Sequence, residues 1–199
     1  MTNFFIPKRI LGVLLVLSSA ITTYAQHYNN FKVSIYCRAY ETSKMVDTVN
    51  YLRPLWEEIT RQLKVDKVYI ETHRDLIIVD QKAIDAAKKF FTDRGIEVAG
   101  GITFTRSEPN RFETFCYSNP DDRAMVKKIV EYTAKNFNEF ILDDFFFTDC
   151  KNDGEIAAKG NKSWTQYRLD LMAKAGKELV VNPAKAVNPK VKVPRPEKG

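Results

Sequence analysis

The sequence predicts an α/β protein assembled from parallel βα units. Three observations carry that prediction. Short apolar runs of strand type alternate with amphipathic helical stretches four times, at a spacing of roughly 35 residues, the pattern of parallel strands joined by crossover helices. Each predicted strand runs into polar or charged residues at its C-terminal end, where parallel-sheet proteins build their sites. The clearest case is Phe140-Ile141-Leu142-Asp143-Asp144-Phe145-Phe146-Phe147. Charges that abut a buried apolar run are costly unless water or a ligand reaches them, so this strand is expected to open Asp143 and Asp144 onto a concave rim.

The elements follow in order. Residues 31–37 alternate apolar and polar and then turn apolar, a first strand. Over 46–63, Leu52, Leu55, Trp56, Ile59 and Leu63 recur at three- and four-residue steps, a helix whose regular part starts near Arg53 because Pro54 suits an early position. Residues 67–71 form a second strand. Asp80 then precedes an apolar stripe of Ala83, Ile84, Ala87, Phe90 and Phe91, and Arg94-Gly95 stops that helix. Residues 96–104 form a third strand, with Gly100-Gly101 marking a bulge or a close backbone approach. Asn119-Pro120-Asp121-Asp122 opens a helix with Met125, Ile129, Val130 and Phe137 inward. Residues 139–144 form the fourth strand and 151–161 a loop or short helix. Ser163 begins another helix with Trp164, Tyr167 and Leu171 inward, and Asn182-Pro183 and Asn188-Pro189 are turn signals. Val191 and Val193 start a fifth strand that Pro194 and Pro196 end.

Composition bounds the class. With 44% apolar residues in 199, the chain suits one globular domain. Residues 1–25 read as a secretory signal peptide: Lys8 and Arg9 lead an apolar stretch over 10–17, and Thr23-Tyr24-Ala25 precedes a cut at Gln26. The expectation is export to the periplasm or outside the cell, with no membrane span after cleavage. Residues 26–193 are then the domain and 194–199 a disordered tail. Loss of the leader lowers the net charge from +6 to +4. No dense Lys/Arg block is present, which argues against nucleic-acid binding. No P-loop, Ser-centred elbow or HExxH occurs, and no cofactor or metal is expected.

The cysteines are Cys37, Cys116 and Cys150. Export permits a disulfide, and an odd count leaves at least one thiol over. In the predicted fold all three lie near one end of the sheet. A Cys116–Cys150 bridge is the hypothesis, and it requires the two Cα atoms within ~7 Å.

Polar groups gather at all four strand ends: Arg38 and Glu41 after the first, Glu71-Thr72-His73-Arg74-Asp75 at the second, Thr103, Thr105, Arg106 and Glu108 at the third, and Asp143-Asp144 at the fourth. Aromatic residues, among them Tyr36, Tyr40, Phe112 and Phe145 to Phe147, accompany them. Aromatic faces stack on the C–H side of sugar rings, and carboxylates and arginine grip hydroxyls. Each group has an ordinary alternative: Arg74 with Asp75 as a surface pair, His73 as a structural histidine, the phenylalanines as core filler.

Lys67-Val68-Tyr69-Ile70-Glu71-Thr72-His73-Arg74, Val98-Ala99-Gly100-Gly101-Ile102-Thr103 and Ile141-Leu142-Asp143-Asp144-Phe145-Phe146-Phe147 together resemble the N-terminal half of secreted bacterial TIM-barrel proteins of the glycoside-hydrolase type. The resemblance implies a catalytic acid/base at Asp143 or Asp144. It implies a carbohydrate substrate and substrate contacts at Glu71 and His73; Arg74 beside them, and Tyr36 and Arg38 from the first strand end, are added as binding candidates. The second carboxylate of such enzymes comes from a later strand. A closed eight-unit barrel takes ~250 residues, against 174 after leader removal. The expectation is therefore a partial (β/α)8-type barrel of four to five strands, with a small open sheet as the alternative. A half-barrel leaves two strand edges bare, which a homodimer would close. A non-catalytic carbohydrate-binding domain or remnant is the other functional reading. A flavodoxin-like domain is disfavoured because residues 38–44 contain no glycine.

Overall fold

The computed structural model describes residues 30–107 and 113–193. The expected leader, Glu108, Phe112 and the tail from Pro194 lie outside the described residues.

Four of the five strands of the main sheet are parallel: β1 (Ser34–Cys37), β2 (Lys67–Arg74), β4 (Glu97–Ile102) and β7 (Phe140–Leu142). They lie side by side in chain order, with Tyr36 opposite Tyr69, Glu71 opposite Gly101 and Gly101 opposite Ile141. A doubly wound sheet places its first strand inside the order. Here β1 pairs on one side with β2 alone among the described residues, and the consecutive order is compatible with part of a barrel. Beyond β7, Glu139 bridges Lys192 in parallel, where a fifth strand was expected. The short β3 (Ile77–Ile78) folds back antiparallel on β2, and β5 (Thr105–Ser107) pairs antiparallel with β6 (Glu113–Thr114) in a separate two-stranded sheet.

The crossovers are α1 (Ala39–Lys44), a π-helical turn (Thr48–Leu52) and α2 (Arg53–Thr60) between β1 and β2, then α3 (Gln81–Thr92), then α4 (Pro120–Asn136). After β7 come α5 (Asp153–Lys159), α6 (Trp164–Ala175), a second π-helical segment (Gly176–Val181) and α7 (Asn182–Val187). Side-chain caps start the long helices: Asp80 accepts from Lys82 N, Asn119 from Asp121 N and Asp122 N, and Ser163 from Gln166 N. Gly95 adopts φ +72° after α3, the left-handed stop that glycine makes without strain.

Two apolar clusters fill the space between sheet and helices. Val68 and Ile70 pack with Ile84, Ala87, Phe90 and Phe91 of α3. Ile102 and Phe140 pack with Val126, Ile129 and Val130 of α4 and with Leu179 and Val180. The opposite face of the sheet has another chemistry. Tyr36, Tyr69 and Glu71 lie there, and Lys67 ties Glu97 (3.0 Å) to Glu139 (2.5 Å) across three strands. Burial opposes the charge on Lys67, but Glu139 and Glu97 outweigh it and hold its ammonium above the usual lysine range.

Several boundaries differ from the sequence reading. The first crossover begins with α1, which the helix predicted over 46–63 omitted, and Leu55 and Leu63 are exposed. The second strand runs to Arg74, three residues past its predicted end, because Glu71, Thr72 and His73 find buried hydrogen-bond partners. The third strand stops at Ile102, and both of its glycines take the close-approach alternative, the register slip lying on β2 instead. A Cβ on Gly100 would meet Thr133 and Phe137, and one on Gly101 would meet the Tyr36 ring at 2.7–2.8 Å. Asn182-Pro183 is no turn: helical backbone runs through it, with Pro183 in the first turn of α7. The Cys116–Cys150 bridge is present with its Cα atoms 5.5 Å apart, and Cys37 remains a free thiol.

Candidate functional site

The site is built on β2. Side chains three apart in a regular strand point to opposite faces. The register between β2 and β4 slips between Glu71 and His73, an extra residue on β2, and Arg74 turns back to the side of Glu71. The Asp75-Leu76 turn follows with both residues at positive φ (53° and 65°), a costly conformation for non-glycine residues that clusters at functional sites. Asp75 is held there by the Tyr40 hydroxyl and, through its backbone N–H, by Thr105 Oγ1.

Glu71 is fully buried and receives five donors. Tyr36 Oη donates to Oε1 at 2.8 Å and Ala39 N to Oε2 at 2.5 Å. Arg74 donates from Nε to Oε2 and from Nη2 to Oε1, each at 3.0 Å, the bidentate geometry that suits a carboxylate. The Thr103 hydroxyl is the fifth partner. Burial works against the guanidinium charge of Arg74, but Glu71 overcomes it and raises its proton affinity. Burial pushes the Tyr36 phenol far up, with the Glu71 charge adding to it.

Asp143 joins this cluster from β7. Its backbone N–H donates to Ile102 O (3.0 Å), which carries the strand pairing one residue further. Its Oδ1 accepts from Phe145 N (3.0 Å), and its Oδ2 contacts Thr103 Oγ1 and lies 3.5 Å from Arg74 Nη2. Its side chain is 18% exposed. Burial raises its carboxyl above the usual aspartate range, against the opposing pull of Phe145 N and Arg74. Asp144, the next residue, is exposed.

The structure thus brings together Tyr36, Glu71, Arg74 and Asp143 of the predicted residues. It separates Asp144, which faces solvent, and Arg38, which pairs with Glu41 (2.8 Å) on an exposed rim. That rim borders an apolar cavity of about 330 Å³ lined by Ile35, Cys37, Met45, Leu52 and Trp56. Burial pushes the Cys37 thiol in its wall up to about 12. His73 is fully buried: Nδ1 donates to Thr103 O (2.7 Å), and Nε2 has no partner among the described residues. Burial lowers its proton affinity. Glu71 touches protein on both oxygens, so it acts on anything outside through Arg74, Tyr36 and Thr103.

Thr103 is the member that the sequence reading mentioned and did not select. A lone threonine after a strand carries no signal; its role arises because, at the end of β4, it touches Glu71 and Arg74 of β2 and Asp143 at the end of β7. Phe145 and Phe147 stack beside Asp144 with ring centroids 5.9 Å apart, and Phe147 is 42% exposed. Phe146 turns inward onto Phe104 and Tyr117. Among the described residues, Cys116, Cys150 and Glu155 place ligand-type atoms within 4.8 Å of one another. The two sulfurs are bonded together and Glu155 pairs with Arg168 (2.8 Å), so this group is a covalent clamp. It joins the segment after β6 to the loop that carries Phe145 to Phe147.

Comparison with known proteins bears on this arrangement. Residues 20–194 match the family model described as "Probable glycosyl hydrolase, catalytic domain". An uncharacterized protein of Saccharolobus solfataricus is 32% identical over 161 residues, covering 67% of this chain and 27% of the relative. The chain spans about a quarter of the length of that curated relative. No solved structure matches.

Proposed function

The chain belongs to this glycosyl hydrolase catalytic-domain family, and from that premise we propose that it forms part of a (β/α)8-type barrel that engages carbohydrate at the C-terminal rim of its sheet. Asp143 is the acid that protonates the glycosidic oxygen, Arg74 and Tyr36 orient the substrate, and the Phe145–Phe147 pair is the platform for a sugar face. The observation that carries the reading is the convergence of Tyr36, Glu71, Arg74, Thr103 and Asp143 from successive strands on one rim. Consecutive strand order and a polar face opposite the helices support the barrel, since strand side chains that face a barrel interior are packed by the far wall. Further sequence or a second copy supplies that wall and the second carboxyl. Export through the leader at 1–25 belongs to the same proposal.

A second reading has its own observation. Glycoside hydrolysis needs two accessible carboxyls, about 5–5.5 Å or roughly 6.5–9.5 Å apart. Glu71 is close to Asp143 but sealed by its five donors, which favours carbohydrate binding without turnover by this chain alone.

The test is a panel of polysaccharides and aryl glycosides offered to the purified chain and to Asp143→Asn. Binding with turnover that falls by about 10²–10⁴-fold in the variant supports the acid role. Binding without turnover supports the second reading. Absence of both refutes carbohydrate as the ligand class. Size-exclusion chromatography on the same sample distinguishes a monomer from a dimer.

A further inference from the structure

Thr103 is fully buried, and its hydroxyl contacts Arg74, Glu71 and Asp143 at once, with the Tyr36 hydroxyl, which gives its own proton to Glu71 (2.8 Å), as a further neighbour. Arg74 Nη2 donates to Oγ1 at 2.9 Å, and Glu71 Oε1 and Asp143 Oδ2 both lie in hydrogen-bond contact with it. A hydroxyl has one proton and two lone pairs. The guanidinium has protons only, so it takes one lone pair. One proton and one lone pair remain for two carboxyl oxygens. If Thr103 donates to one of them, the other must bring its own proton, or two oxygens meet with no hydrogen between them.

The surroundings decide which carboxyl is which. Glu71 has the bidentate guanidinium, the Tyr36 hydroxyl and the Ala39 N–H around it. These donors have no use for a protonated acceptor, and the Arg74 pair keeps the negative charge on Glu71. Asp143 has fewer claims on its charge: Phe145 N on Oδ1 and Arg74 Nη2 at 3.5 Å from Oδ2, with Glu71 as a like-charged neighbour. The phenols of Tyr36 and Tyr117 are the other titratable groups that feel its charge.

We propose that Thr103 is a positioning residue that donates its only hydroxyl proton to Glu71 and accepts the carboxyl proton of Asp143, so that Asp143 stands at the rim as a neutral acid. The arrangement fills all three hydrogen-bond positions of the hydroxyl. It also gives the buried Glu71–Arg74 pair a function beyond stability: it dictates the direction of the Thr103 hydroxyl and thereby the protonation state of Asp143. The use of that proton in glycoside cleavage rests on the reading above; the protonation itself does not.

A carbohydrate-free experiment tests it. The ¹³Cγ resonance of Asp143 is followed by NMR through a pH titration in the wild-type chain, in Thr103→Val and in Thr103→Ser. Wild-type Asp143 is expected to titrate above the ordinary aspartate value of about 3.9. Valine keeps the shape and removes the acceptor for the Asp143 proton, leaving Arg74 to favour the anion, so the acid dissociation constant should rise by about tenfold or more. Serine should restore the wild-type curve. The opposite polarity, with Thr103 donating to Asp143, predicts the reverse shift in Thr103→Val. A reverse shift, no shift, or a wild-type midpoint at or below the ordinary value overturns the proposal. If the valine variant does not fold, Thr103→Ala, which also lacks the acceptor, is titrated in its place with the same expected shift. Failure to cleave any glycoside would leave this result standing, and the two ideas fail separately.

Discussion

Replacement of Arg74 by methionine tests whether the site is held from below by a buried ion pair. Methionine keeps much of the length and loses the charge. Glu71 is fully buried and Arg74 is 9% exposed, so neither end can turn to water. The substitution deletes both guanidinium bonds to Glu71, each at 3.0 Å. A charge-assisted bond is worth about 1.5–3 kcal/mol, which gives about 3–6 kcal/mol for two. An independent figure for breaking a buried pair from one side is about 3–5 kcal/mol. Tyr36, Ala39 N and Thr103 remain on Glu71 and keep the expected loss within that second range. Urea unfolding followed by the fluorescence of Trp56 and Trp164 measures it, with an unchanged slope as the sign that compactness is unaltered. A loss below about 1 kcal/mol, the value for exposed pairs, would show that the pair is solvated and refute the reasoning. In a cycle with Glu71→Gln, the double variant should lose less than the sum, by about 0.5–3 kcal/mol.

Other expectations concern the same neighbourhood. Gly101→Ala places a Cβ 2.7–2.8 Å from the Tyr36 ring; Tyr36 must leave Glu71, and denaturant melts should show a loss of about 1–3 kcal/mol. Cys116 and Cys150 close a loop with a sequence separation of 34, so Cys150→Ser should cost up to about 4 kcal/mol by loop-closure entropy, measured as the drop in unfolding free energy. Asp143 binds its proton more tightly in the folded chain, so the folded state holds more protons than the unfolded one above pH ~4, and stability should fall as pH rises through that window to the folded midpoint. Asp143→Asn should flatten this segment of the stability profile. Phe147→Ala should weaken binding of a carbohydrate found in the panel without altering thermal stability, because its ring is exposed on the rim.

Local sequence patterns revealed much of the scaffold because their physics is local. Asp80, Asn119 and Ser163 each bond a backbone N–H within three residues, so a cap can be read without knowledge of the fold. Ala83, Ile84, Ala87, Phe90 and Phe91 needed only helical periodicity to be placed inward, and all five are buried. The Asp75-Leu76 turn was missed because its positive φ angles sit on residues with no glycine signature. It is held in place from outside, by Tyr40 and Thr105. The turn expected at Asn182-Pro183 is absent because the π-helical segment Gly176–Val181 runs straight into α7, with Pro183 in the first turn of α7, a position that tolerates proline.

From residue order alone came the alternation of strands and helices, the gathering of polar groups at strand ends and the prominence of Asp143, since hydrophobic period and turn chemistry act over a few residues. Packing in three dimensions chose among the candidates. It sealed Glu71, exposed Asp144, turned Arg74 inward through a one-residue slip in β2, and set the Thr103 hydroxyl between two carboxyls from different strands. Burial and the hydrogen bonds each group receives from separate segments set its charge state, and those partners meet only when the sheet assembles.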